Sequence, residues 1–230
     1  MRGTKDLLEE YWRRGHCRVR SFFSKRDLED LRAEADCLLE ESPERGGARN
    51  ALLRSETLRN LSASSPLAEL ASQALGAPAR AVKLTVFDKN PAANWKVPFH
   101  QDLTITVRER KEVEGFGPWS VKGGVVNVQP PVSVLEALVA LRLHLDDTGS
   151  DNGALRVIDG SHRLGRLGGL ELSELVAAST VEICTAEAGD VLLMSPLLVH
   201  ASSPAASPTR RRVLHFEYTA RNLPGGLDWN

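Results

Sequence analysis

Cysteine is scarce in this chain, and the three present, Cys17, Cys37 and Cys184, are scattered. An odd number without CxxC spacing gives neither a disulfide framework nor a zinc motif, and it fits a reducing, cytoplasmic setting. No stretch approaches 18 consecutive apolar residues, so no membrane span is expected. The segment Met1–Asp6 opens with charge instead of an apolar core, so no secretory leader is read there. Neither sign of charge is in excess: 29 Lys and Arg stand against 30 Asp and Glu, a net charge of −1. Without a broad basic field, sequence-independent binding of nucleic acid is not expected. The compact basic run is Arg210-Arg211-Arg212, and there is no internal repeat or low-complexity tract. What remains is a soluble protein whose partner is a small-molecule substrate, with no nucleic acid and no membrane; the oligomeric state is not legible.

The 230 residues suffice for one sizeable core, and the reading is a single domain over 1–230. Residues 1–80 read as helical support. Leu7, Leu8, Tyr11 and Trp12 recur at helical spacing until Gly15. Ser24 is a candidate N-cap with Asp27 three residues on, and Leu28, Leu31, Ala35, Leu38 and Leu39 form the following apolar stripe, which ends near Ser42-Pro43. Pro66 opens a further short helix closing at Gly76. From Ala81 the period becomes two. Strands are predicted over Ala81–Asp88, Val97–Val107, Leu138–Asp146, Ala154–Ile158, Thr180–Cys184, Asp190–Ser195 and Arg211–Thr219, with one helix over Leu170–Ala178. Many short strands with regular turns point to a mainly β sandwich or barrel over 81–220, flanked by helices. Residues 108–131, with four glycines, Trp119 and Lys122, read as a long loop: a lid over a site or a plain surface excursion.

Non-heme iron sites take two histidines and one carboxylate on one face of the metal. A strand supplies two such ligands at i and i+2. Three pairs have that spacing: His100/Asp102, His144/Asp146 and His215/Glu217. Chance alone gives about 0.8 such matches in a chain of this composition, so spacing does not choose among them. His200 is the natural third ligand, because Arg211 follows eleven residues on and an arginine there can grip a carboxylate in bidentate fashion.

Taken together, four ordered blocks resemble the phytanoyl-CoA dioxygenase family of 2-oxoglutarate oxygenases. They are Phe87-Asp88-Lys89-Asn90 with Asn94-Trp95 and Val97–Asp102; Leu143–Asp147; Asn152–His162; and Gly189-Asp190-Val191 with His200, Ser202 and Arg211. The resemblance implies a double-stranded β-helix (a cupin-like jelly-roll) with iron(II) on His100, Asp102 and His200. It implies 2-oxoglutarate as co-substrate, held at its far carboxylate by Arg211 with Ser202 helping, and O2 as oxidant. His144/Asp146 would then fall on a neighbouring strand, and His162 in a Gly-Ser-His turn would be structural. Two departures are Asp159, where the family has proline, and Arg210 and Arg212 as alternatives to Arg211. The presence of Asp102 argues against a halogenase relative.

The expected reaction is hydroxylation with release of succinate and CO2. Arg142, His144 and Asp146, with Lys83 and Thr85, would line a polar cavity that Trp95, Trp119 and Lys122 cover, which favours a small polar metabolite. The alternatives are a non-catalytic jelly-roll that binds a metabolite, or a different metal-dependent cupin-like protein using His144/Asp146.

Overall fold

The computed structural model describes residues 3–42, 46–64, 66–206 and 209–230, so Pro43, where the second helix was expected to end, lies outside the described residues. Four helices cover one face of the main sheet: α1 (Thr4–Arg14), α2 (Lys25–Glu40), α4 (Glu56–Ser64) and α5 (Pro66–Leu75), with the single-turn α3 (Ala51–Arg54) between. Helix α2 begins as expected. Ser24 Oγ accepts from the Asp27 amide, and the Asp27 carboxylate accepts from the Ser24 amide, a reciprocal cap.

The first 80 residues are not helical throughout. Strands β1 (His16–Val19) and β2 (Gly47–Ala48) form the two edges of a six-stranded antiparallel sheet, ordered β1-β11-β8-β13-β3-β2. Its other members are β3 (Arg80–Lys89), β8 (Leu138–His144), β11 (Val191–Met194) and β13 (Arg211–Thr219). Strand β1 was missed because four residues with only Cys17 and Val19 on one side carry too little alternation. Facing this sheet is a four-stranded one, ordered β10-β9-β12-β4, built from β4 (Val97–His100), β9 (Leu155–Val157), β10 (Glu182–Cys184) and β12 (His200–Ser202). Two facing antiparallel sheets of interleaved chain order make the expected jelly-roll.

Parity divides the main sheet into two environments. Leu84, Val86, Val139, Leu141, Leu143, Val191, Leu193, Leu214, Phe216 and Tyr218 point outward and join the helices in one buried cluster. Each such side chain contributes about 1.5–3 kcal/mol by leaving water. Lys83, Thr85, Lys89, Arg142, His144, Arg211, His215 and Glu217 have the opposite parity and face the second sheet. Ala140, Leu155, Val157, Leu192, Met194 and Leu198 fill the rest of that interior.

Two expectations change here. The predicted strand Val97–Val107 is broken into β4 and β5 (Ile105–Val107). Residues 108–131 are not an irregular loop: β6 (Trp119–Lys122) and β7 (Val125–Val128) form a hairpin about Gly123-Gly124 and pair with β5 in a three-stranded sheet. The hairpin packs on its own apolar cluster, which includes Ile105, Val107, Phe116, Val128 and Leu135. The remaining elements are α6 (Val132–Leu135), a 3-10 turn (Ser161–Leu164) and α7 (Gly169–Ala178).

Candidate metal centre and co-substrate pocket

His100 closes β4 and pairs across the sheet with His200, the first residue of β12. Asp102 lies just beyond the strand, where its amide donates to the Pro196 carbonyl at 2.8 Å. The i, i+2 relation therefore survives without a regular strand. Gln101 holds it: its buried amide donates to the carbonyls of Gly165 and Leu197 at 2.8 and 2.6 Å, and it accepts from the Leu167 amide. With Gln101 pinned to one side, His100 and Asp102 project to the other.

There the donor atoms of His100, Asp102 and His200 lie within 4.8 Å of one another. His100 Nδ1 donates to Pro98 O and His200 Nδ1 to Leu198 O, both at 2.9 Å. A carbonyl can only accept, so each Nδ1 carries the proton and each Nε2 presents a lone pair. Both Nε2 atoms stand 3.7 Å from a different oxygen of Asp102. Burial pushes His200 down to about 4. Although burial opposes it, His200 and His100 hold the Asp102 carboxyl well below its usual range. Two Nε2 atoms, each on a ring whose Nδ1 is turned to a carbonyl, and an ionised carboxylate, converging from one side, are the donor set that a divalent cation with open positions takes. That fit rests on tautomers fixed by backbone carbonyls.

The cationic side of the pocket is equally specific. The three consecutive arginines separate by parity. Arg210 pairs with Asp88 and Asp36, and Arg212 with Asp146 and Asp36. Arg211 points inward, is 3% exposed, and has no hydrogen-bond or ion-pair partner among the described residues; its Nε is buried and unpartnered. Burial, then the neighbouring Arg142, brings its guanidinium down to about 10. Beside it is Lys89, fully buried, whose Nζ donates to Ser202 Oγ at 3.0 Å and Ser203 O at 2.7 Å. Burial, then Arg211, lowers that ammonium to about 8. Ser202 in turn donates to Gly153 O at 2.8 Å. Gly153 has φ +68°, and a Cβ there would stand 2.8 Å from Lys89 Cδ, so only glycine leaves the lysine its channel.

Lys89 is the residue that sequence reasoning missed. It shares parity with Lys83, Thr85 and Phe87, but the predicted strand stopped at Asp88 and left Lys89 in the turn. Carrying the alternation one residue further would have found it.

Of the proposed substrate group, Arg142 and His144 face the interior and Asp146 does not. The strand ends at His144, and Asp146 accepts from Arg212 at 2.8 and 2.9 Å outside the pocket. Asp146 is thereby engaged away from His144. His144 Nδ1 meets Thr148 Oγ1 at 3.0 Å, its Nε2 is buried without a partner, and burial holds it well below the usual histidine range. Arg142 donates to His215 Nδ1 at 3.0 Å, and Lys83 donates to Glu217 Oε1 at 2.7 Å. Lys83, Glu217, His215 and Arg142 thus make a polar row across β3, β13 and β8. Trp119 packs on the hairpin cluster with Arg110 over its ring, and its Nε1 is buried without a partner. Trp95 lies beside Lys89, 5.3 Å from Nζ to the ring centre. His162 meets the Trp12 carbonyl at 3.2 Å.

The jelly-roll thus gathers two histidines and an aspartate, the donor set that non-heme iron(II) oxygenases use, and holds a buried arginine with no ion-pair partner among the described residues. The chain belongs to the phytanoyl-CoA dioxygenase (PhyH) family, whose model matches residues 11–213. It is similar to the iron/alpha-ketoglutarate-dependent dioxygenase ausU of Aspergillus calidoustus, 33% identical over 114 residues. That match covers 48% of this chain and 36% of the relative's length. Among solved structures, AviO1 from Streptomyces viridochromogenes Tue57 superposes with a TM-score of 0.71 at 23% identity, over 96% of this chain and 97% of AviO1. The epimerase SnoN, in complex with Fe3+, alpha ketoglutarate and nogalamycin RO, superposes with a TM-score of 0.72 at 20% identity, over 97% of this chain and 91% of SnoN. At these identities the superpositions bear on fold. Within the described residues no helix is long and apolar enough to cross a membrane.

Proposed function

We propose that this chain, acting as a single domain, is an iron(II)- and 2-oxoglutarate-dependent dioxygenase that hydroxylates a small polar metabolite, releasing succinate and CO2. His100, Asp102 and His200 would hold the iron. Arg211 and Lys89 would take the far carboxylate of 2-oxoglutarate, with Ser202 orienting Lys89. The observation that carries the reading is the buried guanidinium of Arg211, which has no carboxylate of its own while both neighbouring arginines have one. An unpaired buried charge is costly unless a ligand supplies its counter-ion. Iron and 2-oxoglutarate, when bound, supply the oxidation of a C–H bond by O2.

The protein's own contribution is placement. The backbone carbonyls of Pro98 and Leu198 set both imidazoles in the tautomer that leaves Nε2 free. Gln101 fixes the turn that aims Asp102. The apolar inner residues Leu155, Val157, Leu192 and Met194 exclude water on one side. The row Lys83–Glu217–His215–Arg142 gives the pocket hydrogen-bonding capacity and both signs of charge, which favours a polar metabolite over a bare hydrocarbon.

The test is anaerobic binding of 2-oxoglutarate to the iron(II)-loaded protein, followed by the visible charge-transfer absorption of the chelate. The absorption should require iron and disappear in Asp102→Ala and Arg211→Ala. Iron binding without that absorption would remove 2-oxoglutarate from the account. In the presence of a turned-over metabolite, succinate should form in step with hydroxylated product; succinate without it would refute the hydroxylase reading.

A further inference from the structure

A second cluster of metal-ligating side chains lies away from the pocket just described, where the edges of the two sheets meet. His16 begins β1, the edge of the six-stranded sheet, and Glu182 and Cys184 bracket β10, the edge of the four-stranded sheet. Ligand atoms of His16, Glu182 and Cys184 lie within 4.8 Å of one another. They border a cleft of about 610 Å³.

Three features separate this cluster from a chance assembly. First, the histidine is oriented. His16 is 3% exposed, and its Nε2 meets Asp159 Oδ1 at 2.7 Å. A carboxylate accepts there, so Nε2 carries the proton and Nδ1 presents its lone pair. Nδ1 faces Cys184 Sγ at 3.9 Å. A carboxylate behind a histidine whose other nitrogen is free is the arrangement that raises the basicity of a metal ligand. Second, carboxylates gather around the arginine nearest the cluster. Glu10, Asp159 and Glu182 all accept from Arg14, three carboxylates on one guanidinium. Arg18 and Arg20 also line the cleft, and Arg18 is held by the Thr185 carbonyl and Asp190. Third, the donors are of mixed softness: one sulfur, one nitrogen and one oxygen, with the cleft giving water access to a fourth position.

We propose that His16 Nδ1, Cys184 Sγ and a carboxylate oxygen of Glu182 form a second metal site, for Zn(II), that clamps the edge strands β1 and β10 together. Thiolate with imidazole selects zinc, whereas the two-histidine, one-carboxylate set elsewhere in the chain suits iron. Binding exchanges the thiol proton for the metal: the S–H bond breaks, an S–Zn bond forms, and one proton leaves to solvent. Glu182 turns from Arg14 to the metal, and Arg14 keeps Glu10 and Asp159.

Co(II), as a spectroscopic stand-in for Zn(II), tests this on the full chain carrying His100→Ala and Asp102→Ala, which empty the other donor set of two partly exposed ligands. One equivalent should bind with thiolate-to-cobalt absorption in the near ultraviolet, displaceable by Zn(II). Asp159→Asn should weaken it about 10- to 100-fold, the usual loss when a carboxylate behind a ligating histidine is removed. Cys184→Ala should abolish the absorption. Should that variant not fold, alkylation read by mass spectrometry replaces it: Zn(II) should protect Cys184 while the exposed Cys37 reacts regardless. Absence of thiolate absorption, its persistence in Cys184→Ala, or alkylation of Cys184 at an unchanged rate with Zn(II) would each overturn the proposal.

Discussion

Replacing Arg211 by methionine separates two effects that a structural arginine would keep together. The guanidinium is 3% exposed, has no acidic partner among the described residues, and sits beside Arg142 and Lys89. Removing one member of a buried charge pair typically costs about 2–5 kcal/mol of binding. With 1.4 kcal/mol per decade, the dissociation constant of 2-oxoglutarate should rise roughly 30- to 4,000-fold. Stability in the absence of ligand should move the other way or not at all. Methionine fills similar volume, and a buried cation without a counter-ion is a cost that its removal relieves. Anaerobic titration of the iron(II) protein gives the first quantity, and calorimetric melting without ligand gives the second. Arg211→Lys is the informative control, because it keeps charge and loses the planar fork. The reasoning fails if Arg211→Met lowers the ligand-free Tm as a core truncation does while leaving 2-oxoglutarate affinity unchanged. That outcome would make Arg211 a packing residue.

The remaining predictions use neighbouring parts of the site. Asp102→Ala should abolish stoichiometric iron(II) binding and His144→Ala should retain it; metal analysis after desalting decides, and the reverse pattern would shift the centre to β8. Lys89 has a folded pKa brought down to about 8, so it is charged below that value and loses charge as pH rises through it. The affinity for 2-oxoglutarate should therefore fall above about pH 8, and Lys89→Met should flatten that limb; for a depressed ammonium the sign on ligand-free stability is opposite, with stability gained as pH rises. Gln101→Leu should leave the Gly165 and Leu197 carbonyls without their donor, costing about 1–3 kcal/mol in denaturant unfolding, and should weaken iron binding by releasing the turn that aims Asp102.

The fold was legible wherever alternation ran long. Strand β13 coincides with its predicted span Arg211–Thr219, because nine residues alternate between Leu214, Phe216 and Tyr218 on one face and Arg211, His215 and Glu217 on the other. Strands β1, β2 and β12 are two to four residues long, and no period can be established over that length. The break after His100 was hidden because Gln101 reads as an ordinary polar position. Its role as a hydrogen-bonding plug depends on Gly165, Leu167 and Leu197, all more than 60 residues away. The hairpin over 119–128 reads as a loop in sequence because the four glycines of residues 108–131 mask two four-residue strands around Gly123-Gly124. The pair that a metal would need, His100 and Asp102 with His200, could be ranked only through the family resemblance, since three pairs shared the spacing. Structure adds an independent discriminator: Asp146 is spent on Arg212, and Glu217 on Lys83, so neither competing pair has a free carboxylate.

The same parity that builds the core also stores the chemistry. Along β13, Leu214, Phe216 and Tyr218 bury apolar surface against the helices, and this side stabilises the sheet. Arg211, His215 and Glu217, one residue out of phase, place charge inside the barrel, where it costs stability. The charge of Glu217 is offset internally by Lys83, and His215 accepts a hydrogen bond from Arg142. Among the described residues, Arg211 and Lys89 have no carboxylate within ion-pairing distance. Were these cations structural, the cheapest solution would be the one adopted by Arg210 and Arg212, which share Asp36 of helix α2. A one-residue change of phase would put Arg211 beside those carboxylates, and the strand instead keeps it turned inward. On the proposed function, the far carboxylate of 2-oxoglutarate would supply the counter-ion that Arg211 lacks within hydrogen-bonding distance.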